Sequence, residues 1–178
     1  MLRRLLDRMH VASGYLAAFF VFAIFVVMIG QTVVREFGVR TGGTDDVVGW
    51  FCAAASFLVL PNAFKRGDLV RVTLLLEQLG PRARQIAEGV SLACASAFTL
   101  YMAWWCVVST YDTWRLGDMA NGLIVLPMWI PQLSLPIGAL FLAVAVVDEF
   151  VRVLLGSKPT YQVEVEARHA RGDFSEDV

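Results

Sequence analysis

The stretch VASGYLAAFFVFAIFVVMIGQTVV, residues 11–34, contains no charged residue and constrains the fold more than any other part of the chain. A water-soluble helix of this length would carry a polar face, so an uncharged run indicates a helix that is surrounded by lipid. Such a helix rises 1.5 Å per residue, and about 20 residues cross the roughly 30 Å hydrocarbon core. The stretch is therefore predicted to span a membrane.

Three further apolar segments follow the first one. Only 17% of the 178 residues are charged, whereas soluble domains carry roughly 25%. The first segment is longer than the 7–15-residue core of a signal peptide, so we expect an uncleaved first span. The fold class is predicted to be an all-α integral membrane protein, with one four-helix membrane domain over residues 1–155. Its predicted spans cover about 11–34, 47–64, 86–114 and 130–154.

The basic residues predict the orientation of these spans. Twelve of the fifteen Lys and Arg residues fall on one side of the membrane, in the amino terminus, the second connection and the tail. Cytoplasmic connections carry such an excess, so both termini are predicted to be cytoplasmic. Trp50, Trp114 and Trp129 then lie near the outer ends of the spans, where tryptophan is enriched. Residues 156–178 are polar and are predicted to form a flexible cytoplasmic tail.

The second connection contains an apolar run that is too short to cross a bilayer. Residues 68–79 place their apolar side chains on one helical face, and Gly80-Pro81 ends the pattern. About twelve residues span roughly 18 Å, so we predict a short amphipathic interfacial helix. The alternation in LVRVT also permits a strand, which would have no partner here. The basic residues predicted to contact lipid headgroups are Lys65, Arg66, Arg71, Arg82 and Arg84.

The spans lack the residues that chemistry inside a membrane requires. The three cysteines have no metal-ligand spacing, and no nucleophile–base pair or glycine-rich phosphate loop is present. A net charge of −1 gives no reason to expect nucleic acid. We therefore expect no catalytic residue, no metal site and no cofactor in this chain. The carboxylates beside the spans are interpreted as end-of-helix charges: Glu88, Asp112, Asp148 and Glu149.

Small residues indicate where helices approach one another. Gly89, Ala93 and Ala97 recur every fourth residue in the third span, a spacing that lets helix backbones pack closely. Such a stripe serves either packing within this chain or docking onto a second membrane protein. Pro136 is predicted to bend the fourth span unless that helix begins late.

Four segments, taken together, carry a family resemblance over almost the whole chain. They are TVVREFG with Arg35, the acidic pair Asp45-Asp46, KRGDLVRVTLL in the second connection, and LPMWIPQLSLPIGALFL at the start of the fourth span. Their order and spacing resemble the small membrane subunit, of the DctQ or SiaQ type, of tripartite ATP-independent periplasmic (TRAP) transporters. Asp68 and Thr73 depart from the histidine and aspartate common in that family.

The resemblance implies a scaffold in a bacterial inner membrane. It implies a large multi-span permease subunit, which carries the sodium and substrate sites, and a periplasmic binding protein that delivers an organic acid or similar solute. Membrane lipids are further expected partners, with a phospholipid as a possible ligand. The residues expected to dock partners on the periplasmic side are Arg35, Asp45, Asp46 and Arg115.

Other classes of four-span protein remain as alternatives. A small multidrug exporter would need a mid-membrane carboxylate, and the first span has none. A haem-bearing anchor would need histidine ligands within spans, whereas His10 and His169 lie outside the apolar runs. A tetraspan structural or assembly protein, or the membrane anchor of another complex, stays open on sequence alone.

Overall fold

The computed structural model describes residues 2–38, 42–66 and 81–155. Within these ranges the chain is helical and has no strand, and Met119 and Pro127 form an isolated antiparallel β-bridge. The interfacial helix predicted for residues 68–79 and the tail 156–178 lie outside the described residues. The helices are α1 (Leu2–Glu36), α2 (Thr44–Arg66), α3 (Pro81–Leu116), α4 (Trp129–Gln132) and α5 (Ser134–Leu154).

The prediction of four helices able to cross a membrane is confirmed by their length and composition. The apolar spans are Met9–Glu36, Thr44–Lys65, Ile86–Leu116 and Trp129–Leu154, the last combining α4 with α5. Each predicted span lies within one of them. We call the end of the bundle that carries residues 36–38, 42–44 and 117–128 the hairpin end, because residues 118–128 form a short antiparallel hairpin there.

The four spans lie in a row in the order α1, α2, α5, α3. α1 packs along α2, α2 along α5, and α5 along α3. Only 6% of the apolar window of α1 is buried, compared with 39% for the span formed by α4 and α5. α2 and α5 therefore form the middle of the row, and α1 and α3 leave most of their surface to lipid or to other proteins.

The closest approach between α2 and α5 occurs where a proline and a glycine face each other. Pro61 has no N–H, so the carbonyl of Phe57, four residues earlier, receives no helical hydrogen bond from it. Gly138 of α5 lies against this carbonyl: a Cβ there would come within 2.5 Å of the Phe57 oxygen. A carbonyl left without its helical donor can accept weak Cα–H contacts from a backbone this near.

α1 packs against α2 in the same way at a second glycine. A Cβ on Gly14 would come within 2.5 Å of the side-chain nitrogen of Asn62. One turn further along, Ala17 packs against Ala54 and Leu58 in a small buried cluster. Small residues on α1 thus bring it close enough to α2 for van der Waals packing, which is the main attraction between helices in lipid.

One face of α5 packs against both α3 and α2. Ala139 and Ala143 pack against Ala103 of α3. Nearer the end opposite the hairpin, Val146 joins Phe64 of α2 in a larger cluster that also contains α3 residues. The alternation of alanine with larger side chains lets three helices meet along one face of α5.

The fourth span is interrupted near its start, as its prolines require. Pro131 lies in the short helix α4, and Pro136 lies in the first turn of α5, which begins at Ser134. A proline there lacks only an N–H that a helix start would leave unpaired. The sequence predicts a bend at Pro136 unless the helix begins late, and α5 does begin late, at Ser134.

Candidate functional site

A glycine ends α3 at the hairpin end. Gly117 has a φ of +68°, which favours glycine, and it follows the last helical residue. The amide of Asp118 donates to the carbonyl of Thr113 at 3.1 Å. This bond back to the last helical turn is typical of a glycine-dependent helix end. It turns the chain sharply toward α4.

Residues 118–128 form a short antiparallel hairpin. The amide of Ala120 donates to the carbonyl of Leu126 at 2.9 Å, and the amide of Met128 donates to the carbonyl of Asp118 at 2.9 Å. These backbone bonds hold the two arms together. The connection between α3 and α4 is therefore an ordered surface feature, although it is too short to be a domain.

The tip of this hairpin packs against the connection between α1 and α2. A Cβ on Gly42 would come within 2.7 Å of the Leu123 side chain, and a Cβ on Gly43 within 2.7 Å of the Ile124 side chain. Gly43 also has a φ of +83°, which a residue with a side chain rarely adopts. Two glycines thus make room for two apolar side chains from the opposite connection.

Asp46 makes the next contact with the hairpin. It lies in the first turn of α2, where the helix dipole favours a negative charge. Its carboxylate lies against Gly122, so a Cβ on Gly122 would collide with it. Asp46 is half-buried, while its neighbour Asp45 is exposed. The acidic pair therefore divides into one carboxylate that packs against the hairpin and one that faces outward.

Replacing Gly122 by alanine is expected to loosen the hairpin from α2. The added methyl group displaces the Asp46 carboxylate, and overpacking of this kind destabilises by about 1–3 kcal/mol. Hydrogen–deuterium exchange over residues 118–128 should become faster in Gly122→Ala. The double variant Gly122→Ala with Asp46→Ala removes the colliding carboxylate and should recover part of the protection. Equal exchange in Gly122→Ala and the unaltered chain would contradict the contact.

The four predicted docking residues all lie at the hairpin end. Arg35 and Arg115 lie in the last turns of α1 and α3, and Asp45 and Asp46 in the first turn of α2. Each sign complements the dipole of its helix, so each residue has a local structural reason to be there. Arg35, Asp45 and Arg115 are exposed, which leaves their charged groups available to a partner.

The residues predicted to contact headgroups lie toward the opposite end. Lys65 is half-buried near the end of α2, and Arg66 is its last residue. Arg82 and Arg84 lie in the first turn of α3, and Arg71 lies outside the described residues. Their contact with lipid stays a prediction.

The small-residue stripe of α3 is not a site of close approach at its first position. A Cβ on Gly89 would meet no atom within 4 Å, Ala93 is half-buried and Ala97 is exposed. Between the spans of the described chain, the tight glycine contacts are made at Gly14 and Gly138 instead. The residue in the sequence that could have indicated the contact at Gly138 is Pro61, because it leaves the carbonyl of Phe57 without its helical donor. Packing of the α3 stripe against a second protein stays a prediction.

Two ionisable residues are more deeply buried than the sequence suggested. His10 is 3% exposed and falls within the first span, not outside it, because the apolar helix extends further toward the amino terminus. Glu149 is 2% exposed, so it is not a solvated end-of-helix charge. Its spacing of three and four residues from Val146 and Ala145 places it on the packed face of α5. Neighbouring Asp148 instead pairs with Arg152 at 3.5 Å.

Comparison with known proteins finds one family model that matches most of the sequence. Residues 24–156 match the family model described as "Tripartite ATP-independent periplasmic transporters, DctQ component". The match begins in the middle of α1 and extends to the end of α5, so it includes the hairpin and the tightly packed pair α2 and α5. No curated protein matches the sequence.

Proposed function

The chain belongs to the DctQ family, the small component of tripartite ATP-independent periplasmic transporters, and we propose that it acts as a scaffold that enlarges the fixed part of the transporter. The observation that carries this proposal is the row of spans, whose edge helices leave wide apolar surfaces uncovered. A row offers a partner membrane protein a long flank, whereas a closed bundle would hide most of its helix surface. Van der Waals packing along such a flank is what joins helices in lipid.

Sodium coupling and substrate recognition are assigned in this proposal to the large permease subunit. The transported solute is an organic acid or a similar compound delivered by the periplasmic binding protein. A subunit that moved ions would need ionisable residues facing a pathway near mid-span. Among the described residues, the charged side chains of the four spans lie toward helix ends. This distribution supports a non-conducting role.

The proposed location is the bacterial inner membrane, with both termini in the cytoplasm and the hairpin end facing the periplasm. Support comes from the unequal distribution of Lys and Arg. Trp114 and Trp129 lie at the hairpin ends of the third and fourth spans, and tryptophan is enriched at membrane–water interfaces. The exposed charges Arg35, Asp45 and Arg115 would then face the binding protein.

A bound phospholipid is also part of the proposal. An open apolar groove of about 740 Å³ runs between α1 and α2, lined on α1 by small residues and phenylalanines that include Phe22 and Phe25. A groove of this shape and composition suits an acyl chain. In this proposal the headgroup of that lipid is bound by Lys65, which lies near the end of α2 opposite the hairpin.

The proposed function predicts that the chain is required for uptake. Coexpressed with the large subunit of the same transporter, it should co-purify with that subunit. Proteoliposomes containing both subunits, the binding protein and a sodium gradient should accumulate the solute, and omission of this chain should reduce uptake to that of empty liposomes. Dissipation of the gradient is the control for sodium coupling. Purification only as a free chain, with uptake unaffected by its omission, would favour a structural or assembly protein.

A further inference from the structure

A second groove runs along the face of α3 that adjoins α4 and α5. Its volume is about 450 Å³, and it shares no lining residue with the groove between α1 and α2. Three aromatic rings form its outer wall and are more than half exposed, although they lie within the third span. Their exposed faces therefore meet lipid or another molecule in the membrane. The apolar lining consists of Phe98, Tyr101, Met102, Trp105, Cys106 and Leu135.

A polar pair lines the end of this groove nearest the hairpin. The side-chain nitrogen of Gln132 donates to the hydroxyl oxygen of Ser109 at 3.0 Å. This bond uses one of the two N–H groups of the amide and leaves the hydroxyl proton of Ser109 available to an acceptor. Neither side chain makes another hydrogen bond within the described part of the chain. Unused donors inside a membrane span are costly unless a polar atom of some neighbour accepts from them.

The groove has the length of one leaflet. Ser109 and Phe98 are eleven residues apart on α3, about 16 Å along the axis, and half of the hydrocarbon core is about 15 Å thick. Phe98 lies near the middle of the third span. Ser109 lies one to two turns inside Trp114, and tryptophan is enriched at the interface. The polar pair is therefore at the depth where the hydrocarbon core begins, and the aromatic wall extends to the middle of the bilayer.

These dimensions favour a lipid over a helix of another protein. A helix that crosses the membrane would pack along about 30 Å, whereas this groove ends near the middle of the bilayer. The ester groups of a phospholipid lie where its acyl chains begin, and their carbonyl oxygens are acceptors. The O–H of Ser109 and the second N–H of Gln132 are the donors that such oxygens need. The apolar wall below them suits an acyl chain.

The charges beyond the polar pair indicate the headgroup. Asp112 lies one turn beyond Ser109 on the same side of α3, and Arg115 follows three residues later; both are exposed. A guanidinium binds a phosphate well, and a carboxylate attracts an ammonium group. Asp112 also lies near the carboxyl end of α3, where the helix dipole favours a cation. This arrangement suits a zwitterionic headgroup better than one that carries only negative charge.

We propose that this groove binds one phospholipid with an ammonium headgroup, such as phosphatidylethanolamine, in the leaflet at the hairpin end. Its ester carbonyls accept hydrogen bonds from Ser109 and Gln132, one acyl chain lies along the aromatic wall, and its ammonium pairs with Asp112. The site is distinct from the lipid site proposed between α1 and α2, whose headgroup lies at the other end of the bundle. It requires only that the spans lie in a bilayer, and it does not depend on a role in transport.

The first test uses the full chain in phosphatidylglycerol liposomes that contain a small fraction of phosphatidylethanolamine with a photoreactive diazirine on one acyl chain. After irradiation, peptide mass spectrometry should find adducts concentrated on residues 98–109. The double variant Ser109→Ala with Gln132→Leu removes both donors and should reduce these adducts about tenfold. The matched control, Ser91→Ala with Gln31→Leu, makes the same changes outside the groove and should leave them unchanged.

Adducts on α1 measure overall labelling in each variant, and circular dichroism measures its helix content. Adducts spread evenly over the lipid-facing surface overturn the proposal, and so does unchanged labelling of residues 98–109 in the groove variant. The labelling is repeated on the chain assembled with the large subunit, where it should persist. Loss of the groove adducts in that complex would identify the large subunit as the occupant and would also overturn the proposal.

The second test concerns the headgroup and uses a variant at an exposed position. The same photoreactive acyl chain is carried by phosphatidylethanolamine or by phosphatidylglycerol in otherwise identical liposomes, and the first lipid should label residues 98–109 about threefold more. Asp112→Lys should reverse this preference, whereas Asp45→Lys, the same charge change away from the groove, should keep it. Equal labelling of the unaltered chain by the two lipids, or an unchanged preference in Asp112→Lys, overturns the proposal. Neither outcome involves uptake, so a failure here is distinguishable from a failure of the proposed function.

Discussion

Replacement of Gly138 by alanine is expected to lower the free energy of unfolding by about 1–3 kcal/mol. A Cβ at this position would lie 2.5 Å from the carbonyl oxygen of Phe57 and 2.6 Å from its carbon. These are backbone atoms, so they cannot rotate away as a flexible side chain would. α5 must therefore move away from α2, and the packing around Ala139 is lost with it. Thermal unfolding of the purified chain in detergent measures the effect.

The control for this prediction is a helical glycine that has open space. A Cβ on Gly30, in α1, would meet no atom within 4 Å. Gly30→Ala should be neutral or stabilising by up to about 1 kcal/mol, because alanine is the better helix former. If Gly138→Ala and Gly30→Ala shift the midpoint of unfolding alike, the close approach of α2 and α5 is wrong.

Charge reversal at Asp45 is expected to slow docking of the binding protein about tenfold at low ionic strength. Asp45 is exposed at the start of α2, so its charge acts on the approach of a partner more than on folding. Charges on the rim of an interface chiefly change the association rate and its salt dependence. Stopped-flow measurement of binding-protein association with the assembled complex, over a range of salt concentrations, tests the effect of Asp45→Lys.

Asp45→Asn is the graded control, because it removes the charge and keeps a side chain that can bond to the helix start. Its effect should be smaller than that of Asp45→Lys and should diminish similarly as salt rises. Asp46→Ala should act differently, through increased exchange of the hairpin, since it removes the side chain that packs against Gly122. Identical rates and salt dependence for Asp45→Lys and the unaltered chain would contradict a docking role.

Much of the helical architecture could be predicted because the bilayer imposes it. An uncharged run such as residues 11–34 has few other ways to satisfy its backbone in lipid than a helix, so the number and approximate limits of the spans follow from local composition. The ends of the spans were less predictable. A histidine breaks an apolar run in the sequence, but α1 includes His10 and buries its side chain. The resemblance to DctQ proteins also depended on local segments and is confirmed by the family match.

The candidate site was only partly accessible from sequence. Arg35, Asp45, Asp46 and Arg115 could be assigned to one end, because the ends of consecutive spans alternate between the two sides of the membrane. The different environments of Asp45 and Asp46 could not be foreseen. They depend on Gly122, which is 76 positions from Asp46 and reaches it only through the hairpin.

The sequence by itself determined that this chain has four apolar helices with few ionisable residues in them, because hydropathy and charge are properties of the individual residues. The tertiary structure alone decided the order of the row, the contact of Gly138 with the Phe57 carbonyl, and the contact of the hairpin tip with Gly42 and Gly43. Lipid is as apolar as the helix surfaces, so hydrophobicity does not select which faces meet. That choice depends on close packing between residues far apart in the chain.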